Sequence, residues 1–338
     1  MADESIETEA ASTAALKALL RRAERPTNQH VDALFDPRFP ALSEAQRAFA
    51  FAAQDSLLRI VADDILSRLV ETDVDIVDAL DFENAQDFVR TPAMAHALLR
   101  RADEALLGAG LPDVMRLAGL GSEDTPLSIA MRSEDDDLSV RANAYFEISN
   151  ARQTTLNEPM LFPDELATDA AEGLYWKMAS LVSDAFDTVD LTSVEDAARR
   201  AIASRNIARS AQHLAMRLAA RFVERGELSA ALLGRTAASG DPLLVAALCA
   251  VRTGVTSSTA WALLFESGPI NRRIFLSMTG IRPAEANGLA ENFDQLDQTV
   301  DQSRGITRDT QMNFDDTLHS HLHAFWRLTP KFREVLSR

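Results

Sequence analysis

The sequence predicts an all-α protein of stacked helical hairpins with two long helices. Typical helix starts, in which a capping oxygen is followed directly by proline, occur at Thr91, Thr125, Asp241 and Thr329. No run of alternating β-branched residues is present, and no Asn-Gly or Asp-Gly pair stands between two such runs. After residue 226 the apolar helical segments are short and closely spaced. Such helices cannot bury their apolar faces alone and must stack on their neighbours.

Apolar residues at helical spacing, bounded by caps, glycines and prolines, predict the helices in order. They are 7–24, 43–71, 91–108, 134–150, 164–188, 193–225, 227–238, 242–252, 257–266, 270–278, 283–294, 307–328 and 330–337. The acids of "SEDDDLS" (133–139) suit the positive end of a helix dipole, and Thr192 with Glu195 fits a capping box. We expect three regions: a partly disordered N-terminal helical extension (1–40), a HEAT-like repeat domain (41–298), and a linker with a C-terminal amphipathic helix (299–338).

The composition narrows the classes of partner. The chain carries 51 acidic and 34 basic residues, a net charge of −17, which disfavours non-specific binding to nucleic acid or anionic lipid. Cys249 is the only cysteine, and its apolar surroundings, "PLLVAALCAV", indicate a buried thiol rather than a disulfide or metal ligand. The N-terminus is acidic, and no apolar stretch approaches the ~20 residues that span a bilayer. We therefore expect a cytoplasmic protein without a membrane partner.

The segment from Leu232 to Phe293 has an order of features that resembles a known family. The Gly240-Asp241 helix start precedes the apolar segment "AALCAVRTGV", the Gly268-Pro269 turn and the turn "SMTGI" follow, and "LSVRANAYFEIS" lies upstream. In this order the chain resembles, over about residues 40–295, a bacterial family of uncharacterised all-helical proteins, a domain of unknown function. The resemblance implies a HEAT-like solenoid and brings no catalytic residues.

The sequence lacks the common catalytic motifs. It contains no Walker loop, no GxGxxG after a strand, no HExxH and no GxSxG. We therefore predict no catalytic residue, no cofactor and no enzymatic activity. In "EGLYWKMASLVSDAF", Tyr175 and Trp176 widen a helical core face, and we favour core packing over a partner groove for both.

The C-terminal stretch "DDTLHSHLHAFW" (315–326) has two interpretations. His319 and His323 are one helical turn apart and could share a metal ion, which makes them weak metal candidates. They also flank an apolar stripe, and histidines beside such a stripe usually belong to an amphipathic helix. We favour a helix that docks on its own chain or on a second copy through Leu318, Leu322, Phe325 and Phe332.

The stretch "SRNIARSAQHLAMRLAARFVERG" (204–226) places a cation-capable residue at every fourth position: Arg205, Arg209, His213, Arg217, Arg221 and Arg225. On one helix this row winds by about 200°. The face opposite its start is expected to be buried and comprises Ile207, Ala211, Leu214, Leu218 and Phe222. The last two arginines turn toward the packed side, where the helix C-terminus favours cations. A candidate surface for an acidic partner or an anion, or alternatively a solvated face paired with the protein's own acids, then comprises Arg205, Arg209, His213 and Arg217.

These observations predict a bacterial, cytoplasmic and non-catalytic protein–protein interaction scaffold or regulatory adaptor built on a helical repeat. The alternative is a sensor that binds a phosphorylated or nucleotide ligand at the Arg-rich helix 193–225. A metal-dependent enzyme that uses the C-terminal histidines is the third possibility. No aromatic residue lies between Arg205 and Arg217, which argues against single-stranded nucleic acid as the partner.

Overall fold

The computed structural model confirms the all-α class. It describes residues 28–35, 42–69, 80, 82–121, 124–153, 158–185, 190–266 and 269–300, which form helices joined by turns, with no strand among them. An isolated antiparallel bridge joins Gln153 and Pro159. The predicted helices 7–24, 307–328 and 330–337 lie outside the described residues. The same holds for the C-terminal candidate residues His319, His323, Leu318, Leu322, Phe325 and Phe332.

The described helices follow one another as α1 (Asn28–Phe35), α2 (Glu44–Leu66), α3 (Phe82–Ala85), α4 (Pro92–Leu117), α5 (Pro126–Met131), α6 (Asp136–Ala151), α7 (Thr168–Ala185), α8 (Leu191–Ser204), α9 (Ala211–Glu224), α10 (Ala230–Ala238), α11 (Pro242–Thr253), α12 (Ser257–Trp261), α13 (Pro269–Met278) and α14 (Pro283–Val300). Short 3₁₀ turns lie at Gln86–Val89, Pro163–Glu165 and Ile207–Arg209, and a π-helical turn, Ala262–Glu266, continues α12. Helices α1 and α3 were not predicted from the sequence, and α5 was indicated only by its cap.

Three of the predicted helix starts are confirmed by their hydrogen bonds. The side-chain oxygens of Thr91, Thr125 and Asp241 each accept a hydrogen bond from the backbone amide three residues later, at 3.4, 3.1 and 2.9 Å. Each is followed by proline, which has no backbone N–H. The loss has no cost here, because the first N–H of a helix has no acceptor within the helix. The fourth start, at Thr329, lies outside the described residues.

The capping box predicted at Thr192 and Glu195 is wrong. Helix α8 begins one residue earlier, at Leu191, and its N-cap is Asp190. The Asp190 carboxylate accepts the backbone amide of Ser193 at 3.2 Å. Aspartate caps a helix at least as well as threonine and also carries the negative charge that the helix N-terminus favours, so it sets the start of α8.

Helix α4 continues beyond its predicted end at residue 108. Gly108 and Pro112 are local signals that disfavour a helix interior. The side chains of Leu111 and Met115 are nevertheless fully buried, which continues the apolar face past both residues. Tertiary packing therefore outweighs the local propensity in this part of the chain.

Contacts within the chain define two compact units. Unit A comprises the described residues within Pro26–Leu106 and Ala144–Leu214. Unit B comprises the described residues within Leu107–Asn143 and those from Ala215 onward. The domain bounds predicted from the sequence, after residues 40 and 298, stay a prediction.

The core of unit A is formed by α2, α7 and α8, which pack on one another. Apolar side chains of α2 at helical spacing are buried there, among them Ala50, Ala53, Leu57, Val61 and Ile65. Helix α7 contributes Leu174, Tyr175, Met178 and Val182, and α8 contributes Val194, Ala197, Ala198 and Ala201. These residues belong to one apolar cluster.

A buried network of charges ties the segment between α6 and α7 to α4 in unit A. Arg152 donates to both carboxylate oxygens of Glu104, at 2.5 and 2.9 Å. Its Nε lies 2.7 Å from Oε1 of Glu165, an ion pair without hydrogen-bond alignment. Arg101 donates to the backbone carbonyls of Met160 and Arg152, at 2.9 and 2.7 Å. Arg101 and Arg152 are only 4% and 6% exposed, so little solvent screens these charges.

The two glutamates of this network have pKa values displaced in opposite directions. At Glu104, burial raises the pKa, but the charges of Arg152 and Arg101 and the hydrogen bonds from Arg152 outweigh it, and the pKa is lowered. At Glu165, burial outweighs Arg152 and the pKa is raised. Burial opposes the charge on Arg152, yet the adjacent glutamates raise the pKa of its guanidinium. Arg152 therefore stays charged and is the central cation of the network.

In unit B, every residue of α11 from Pro242 to Ala250 is buried. Helix α11 packs against α10 and α12, and α13 packs against α14. Cys249 is fully buried, and burial raises the pKa of its thiol to about 12. The prediction of a core thiol is confirmed.

The turn before α11 has a backbone requirement for glycine. Gly240 has a φ of 75°, and a Cβ added to it would lie 2.6 Å from the carbonyl oxygen of Gly108. A side chain at Gly240 would therefore be strained by its backbone conformation and would meet the backbone of α4. Gly240 thus fixes the close approach of this turn to α4 within unit B.

None of the described helices is by itself long and apolar enough to cross a membrane. Helix Pro242–Thr253 and the segment Ser257–Glu266 meet the length and composition requirement only together, as a pair bent by 114°.

Candidate functional site

The cationic row lies on two helices and the turn between them, so the prediction of one continuous helix 193–225 is wrong. Helix α8 ends at Ser204, a 3₁₀ turn covers Ile207–Arg209, and α9 begins at Ala211. The regular four-residue spacing in the sequence therefore does not produce a regular spiral of cations on one helix surface.

Two side chains account for the break between α8 and α9. Asn206 accepts a hydrogen bond from the backbone amide of Ala208 at 3.1 Å. Ser210 accepts one from the backbone amide of His213 at 3.3 Å, at the start of α9. Asparagine and serine offer the backbone such local bonds and favour caps and turns over helix interiors. This signal was present in the sequence and was missed beside the charge pattern.

Arg205, the first member of the row, is directed into its own chain. Its Nη2 donates to the backbone carbonyls of Pro163 and Leu166, at 2.8 and 3.1 Å. The side chain is half-buried and lines a pocket of unit A that also contains Asp63 and Asp164. Of the two orientations open from the sequence, toward solvent or toward the polar side of a neighbouring segment, Arg205 has the second, because the turn before α7 supplies its acceptors. Asp63 and Asp164 belong to no motif in the sequence.

The last two members of the row bind a carboxylate within unit B. Arg221 and Arg225 both donate to Oδ2 of Asp135, at 2.6 and 2.7 Å. The hydrogen bonds from Arg225 and then Arg221 lower the pKa of Asp135 to about 2. Asp135 also accepts the backbone amide of Leu138 at the start of α6. The two arginines therefore pair with an acid of the "SEDDDLS" stretch, a contact that we had not predicted.

We expect the Asp135→Asn variant to be less stable than the parent at neutral pH. Because the folded-state pKa of Asp135 is lowered to about 2 from 3.8, the stabilisation by its charge is present above about pH 4 and is lost as the pH falls toward 2. Thermal unfolding of both proteins between pH 2 and pH 7 tests this. The difference in stability should shrink in the acid range, and a difference that is constant with pH would contradict the assignment.

The middle members of the row have side chains that are not engaged by other described residues. They are Arg209, His213 and Arg217. Their side chains are exposed and make no ion pair or hydrogen bond with any other described residue. Other exposed arginines of the chain do pair with a neighbouring acid, as Arg132 does with Asp124 at 2.5 Å. Within the part of the chain that the structure describes, the middle of the row therefore presents arginine side chains without an acidic partner to solvent.

The apolar face predicted opposite the row is confirmed only in part. Ala211, Leu218 and Phe222 are buried, as predicted, whereas Leu214 is only half-buried. Ile207 is 50% exposed, because the 3₁₀ turn carries it out of the register of the helix. An isoleucine thus lies in solvent two residues before Arg209. We call the exposed side chains of Ile207, Arg209 and His213, all in unit A, the basic surface.

The aromatic pair in α7 is divided between core and surface. Tyr175 is 2% exposed, which confirms core packing. Trp176 is 39% exposed, so the same prediction is wrong for it. The guanidinium of Arg199 lies 5.5 Å from the Trp176 ring centroid, within the range of a cation–π contact. Adjacent residues on a helix point about 100° apart, and Trp176 lies on the side of α7 that is more exposed than the side carrying Tyr175.

No group of three or more metal-ligating side chains occurs in the part of the chain that the structure describes. The weak metal candidates and the apolar stripe near the C-terminus lie outside that part, so both stay predictions. Comparisons with protein-family models, with curated proteins and with solved structures give no match.

Proposed function

We propose that the chain is a non-catalytic interaction protein that binds an acidic protein partner through the basic surface. The observation that carries this proposal is the exposed guanidinium of Arg209, which has no ion-pair or hydrogen-bond partner among the described residues, followed four residues later by the exposed imidazole of His213. In a chain of net charge −17, an acidic partner is repelled by most of the surface and attracted at such a patch. Charge complementarity of this kind guides association and fixes orientation.

The neighbouring isoleucine favours a protein over a phosphorylated ligand. Protein interfaces combine apolar contacts with a polar rim, and Ile207 offers an exposed apolar side chain two residues before Arg209. A phosphate site would instead require several converging donors. Arg205, which could have been such a donor, is already bound to backbone carbonyls.

The helical-repeat architecture belongs to the same proposal. Consecutive helices pack on each other in both units, as α7 does on α8 and α13 on α14. Consecutive pairing is what a HEAT-like array of hairpins requires. It supports the predicted solenoid, an architecture that suits a scaffold or adaptor.

The variant Arg209→Glu is expected to lose the partner. Arg209 is the arginine of the basic surface, and its side chain is exposed. We expect the affinity for the partner, captured with the parent chain from the native host, to fall at least tenfold, or about 1.4 kcal/mol. The effect should be larger at low salt, since exposed charges are screened beyond ~8 Å at physiological ionic strength.

A control variant with the same net charge distinguishes an effect of the basic surface from an effect of the overall charge of the protein. The Arg116→Glu variant has the same net charge, but its arginine is exposed and paired with a neighbouring acid, Asp113. It should bind the partner nearly as well as the parent. Equal losses in both variants would assign the effect to overall charge, and unchanged binding by the first variant would contradict the proposal.

A further inference from the structure

Unit A contains a pocket of about 310 Å³ beside the buried face of α7. This volume lies within the range of small-molecule sites. The groups that give the pocket its chemistry are three carboxylates, one guanidinium, a phenol and an aromatic ring, from Asp63, Asp64, Asp164, Arg205, Tyr175 and Phe162.

The cations at this pocket are already bound to the protein. Nη2 of Arg205 donates to two backbone carbonyls, and its Nε has no hydrogen-bond partner among the described residues but is buried out of contact with solvent. Arg68, next to the pocket, forms an ion pair with Asp64 and donates to Oγ of Ser204 at 2.8 Å. Few donors therefore remain for an anionic ligand.

Two carboxylates of the pocket, in contrast, receive few hydrogen bonds from the described residues. The carboxylate of Asp63 is exposed and has no hydrogen-bond or ion-pair partner among the described residues. Asp164 accepts one backbone amide, that of Asn206, at 2.9 Å through Oδ1. Two carboxylates with free lone pairs attract hydrogen-bond donors, and most strongly charged ones.

Two other polar side chains of the pocket wall, Tyr175 and Asp64, are hydrogen-bonded to each other. The hydroxyl of Tyr175 donates to Oδ2 of Asp64 at 2.7 Å. Burial, and then the hydrogen bond to Asp64, raise the pKa of Tyr175, so the phenol stays protonated and remains a donor to Asp64. Asp64 is thus engaged by Tyr175 and Arg68, which leaves Asp63 and Asp164 as the carboxylates that face a ligand.

We propose that this pocket binds a small organic cation, a primary amine with an apolar body. Asp63 and Asp164 hold the ammonium group, and Phe162 contacts the apolar body. A cation near an aromatic face gains further attraction. Asp63 and Asp164 lie far apart in the sequence, and the fold brings both to this pocket. The proposed ligand is therefore a cation, whereas the ligand considered from the sequence was a phosphorylated anion. This site is separate from the basic surface and does not depend on it.

The test uses the full chain and three probes in isothermal titration. They are 2-phenylethylamine, its uncharged analogue 2-phenylethanol, and inorganic phosphate. We expect the amine to bind more tightly than the alcohol and phosphate not to bind in the pocket. The double variant Asp63→Asn with Asp164→Asn should weaken amine binding at least tenfold. The control Asp196→Asn, which changes an exposed carboxylate outside the pocket, should leave it unchanged.

The single variant Asp63→Asn provides a second test in case the double variant does not fold. Asp63 is exposed and has no partner among the described residues, so this variant should fold like the parent. It should still weaken amine binding. The proposal is overturned if the amine does not bind at concentrations on the order of millimolar. It is also overturned if Asp63→Asn binds the amine as the parent does, or if phosphate binds more tightly than the amine.

Discussion

Replacing Arg152 with alanine is expected to lower the free energy of unfolding by about 3–5 kcal/mol. The variant leaves the carboxylates of Glu104 and Glu165 buried without their central cation, and removes two hydrogen bonds to Glu104 and the ion pair to Glu165. A buried charge that loses its main partner is strongly destabilising, because it has lost its hydration, and Glu104 then keeps the more distant Arg101, at 3.9 Å. Urea titration followed by circular dichroism measures the loss.

An exposed ion pair of the same unit provides the control. Arg199 pairs with Glu195 at 2.6 Å, and both side chains are more than half exposed. Exposed pairs contribute about 0–1 kcal/mol, so Arg199→Ala should lie in that range. A loss below about 1 kcal/mol for Arg152→Ala would show that the network is not the buried anchor of the segment between α6 and α7.

The second large effect is expected at Leu218, where alanine should cost about 2–5 kcal/mol. Leu218 is fully buried, and Ala215, Ala219 and Phe222 of the same helix are buried with it. Removing three carbons there leaves a cavity that the surrounding helices can only partly close. The measurement is again the free energy of unfolding in urea.

Leu214 provides a matched control on the same helix. It is only half-buried, so Leu214→Ala should cost less than Leu218→Ala, on the order of 1 kcal/mol. The sequence pattern had placed both leucines in the core, and the two losses would then be equal. Equal losses would show that the face of α9 is oriented as the pattern implied and not as the structure has it.

Features that depend on nearby residues were predictable from the sequence. The helix starts at Thr125 and Asp241 rest on a side chain that bonds an amide three residues away. The buried thiol of Cys249 follows from its apolar neighbours. In each case the deciding interaction lies within one or two helical turns, which a sequence pattern can represent.

The contacts that define the sites were not predictable in the same way. Asp135 and Arg221 are 86 residues apart, and Arg152 and Glu104 are 48 apart. A charge pattern identifies the groups but does not identify which acid meets which arginine, because tertiary packing decides that. The break at Asn206 was accessible from the sequence, since asparagine favours turns, but the regular spacing of cations concealed it.

We propose that the acidic partner binds at the basic surface. Hydrogen exchange of the full chain, with and without the captured partner, tests it most directly because it locates the contact along the chain. We expect slower exchange in peptides that cover residues 205–217, which contain Ile207, Arg209 and His213, and this protection should weaken at high salt. Unchanged exchange in these peptides together with protection elsewhere would contradict the claim.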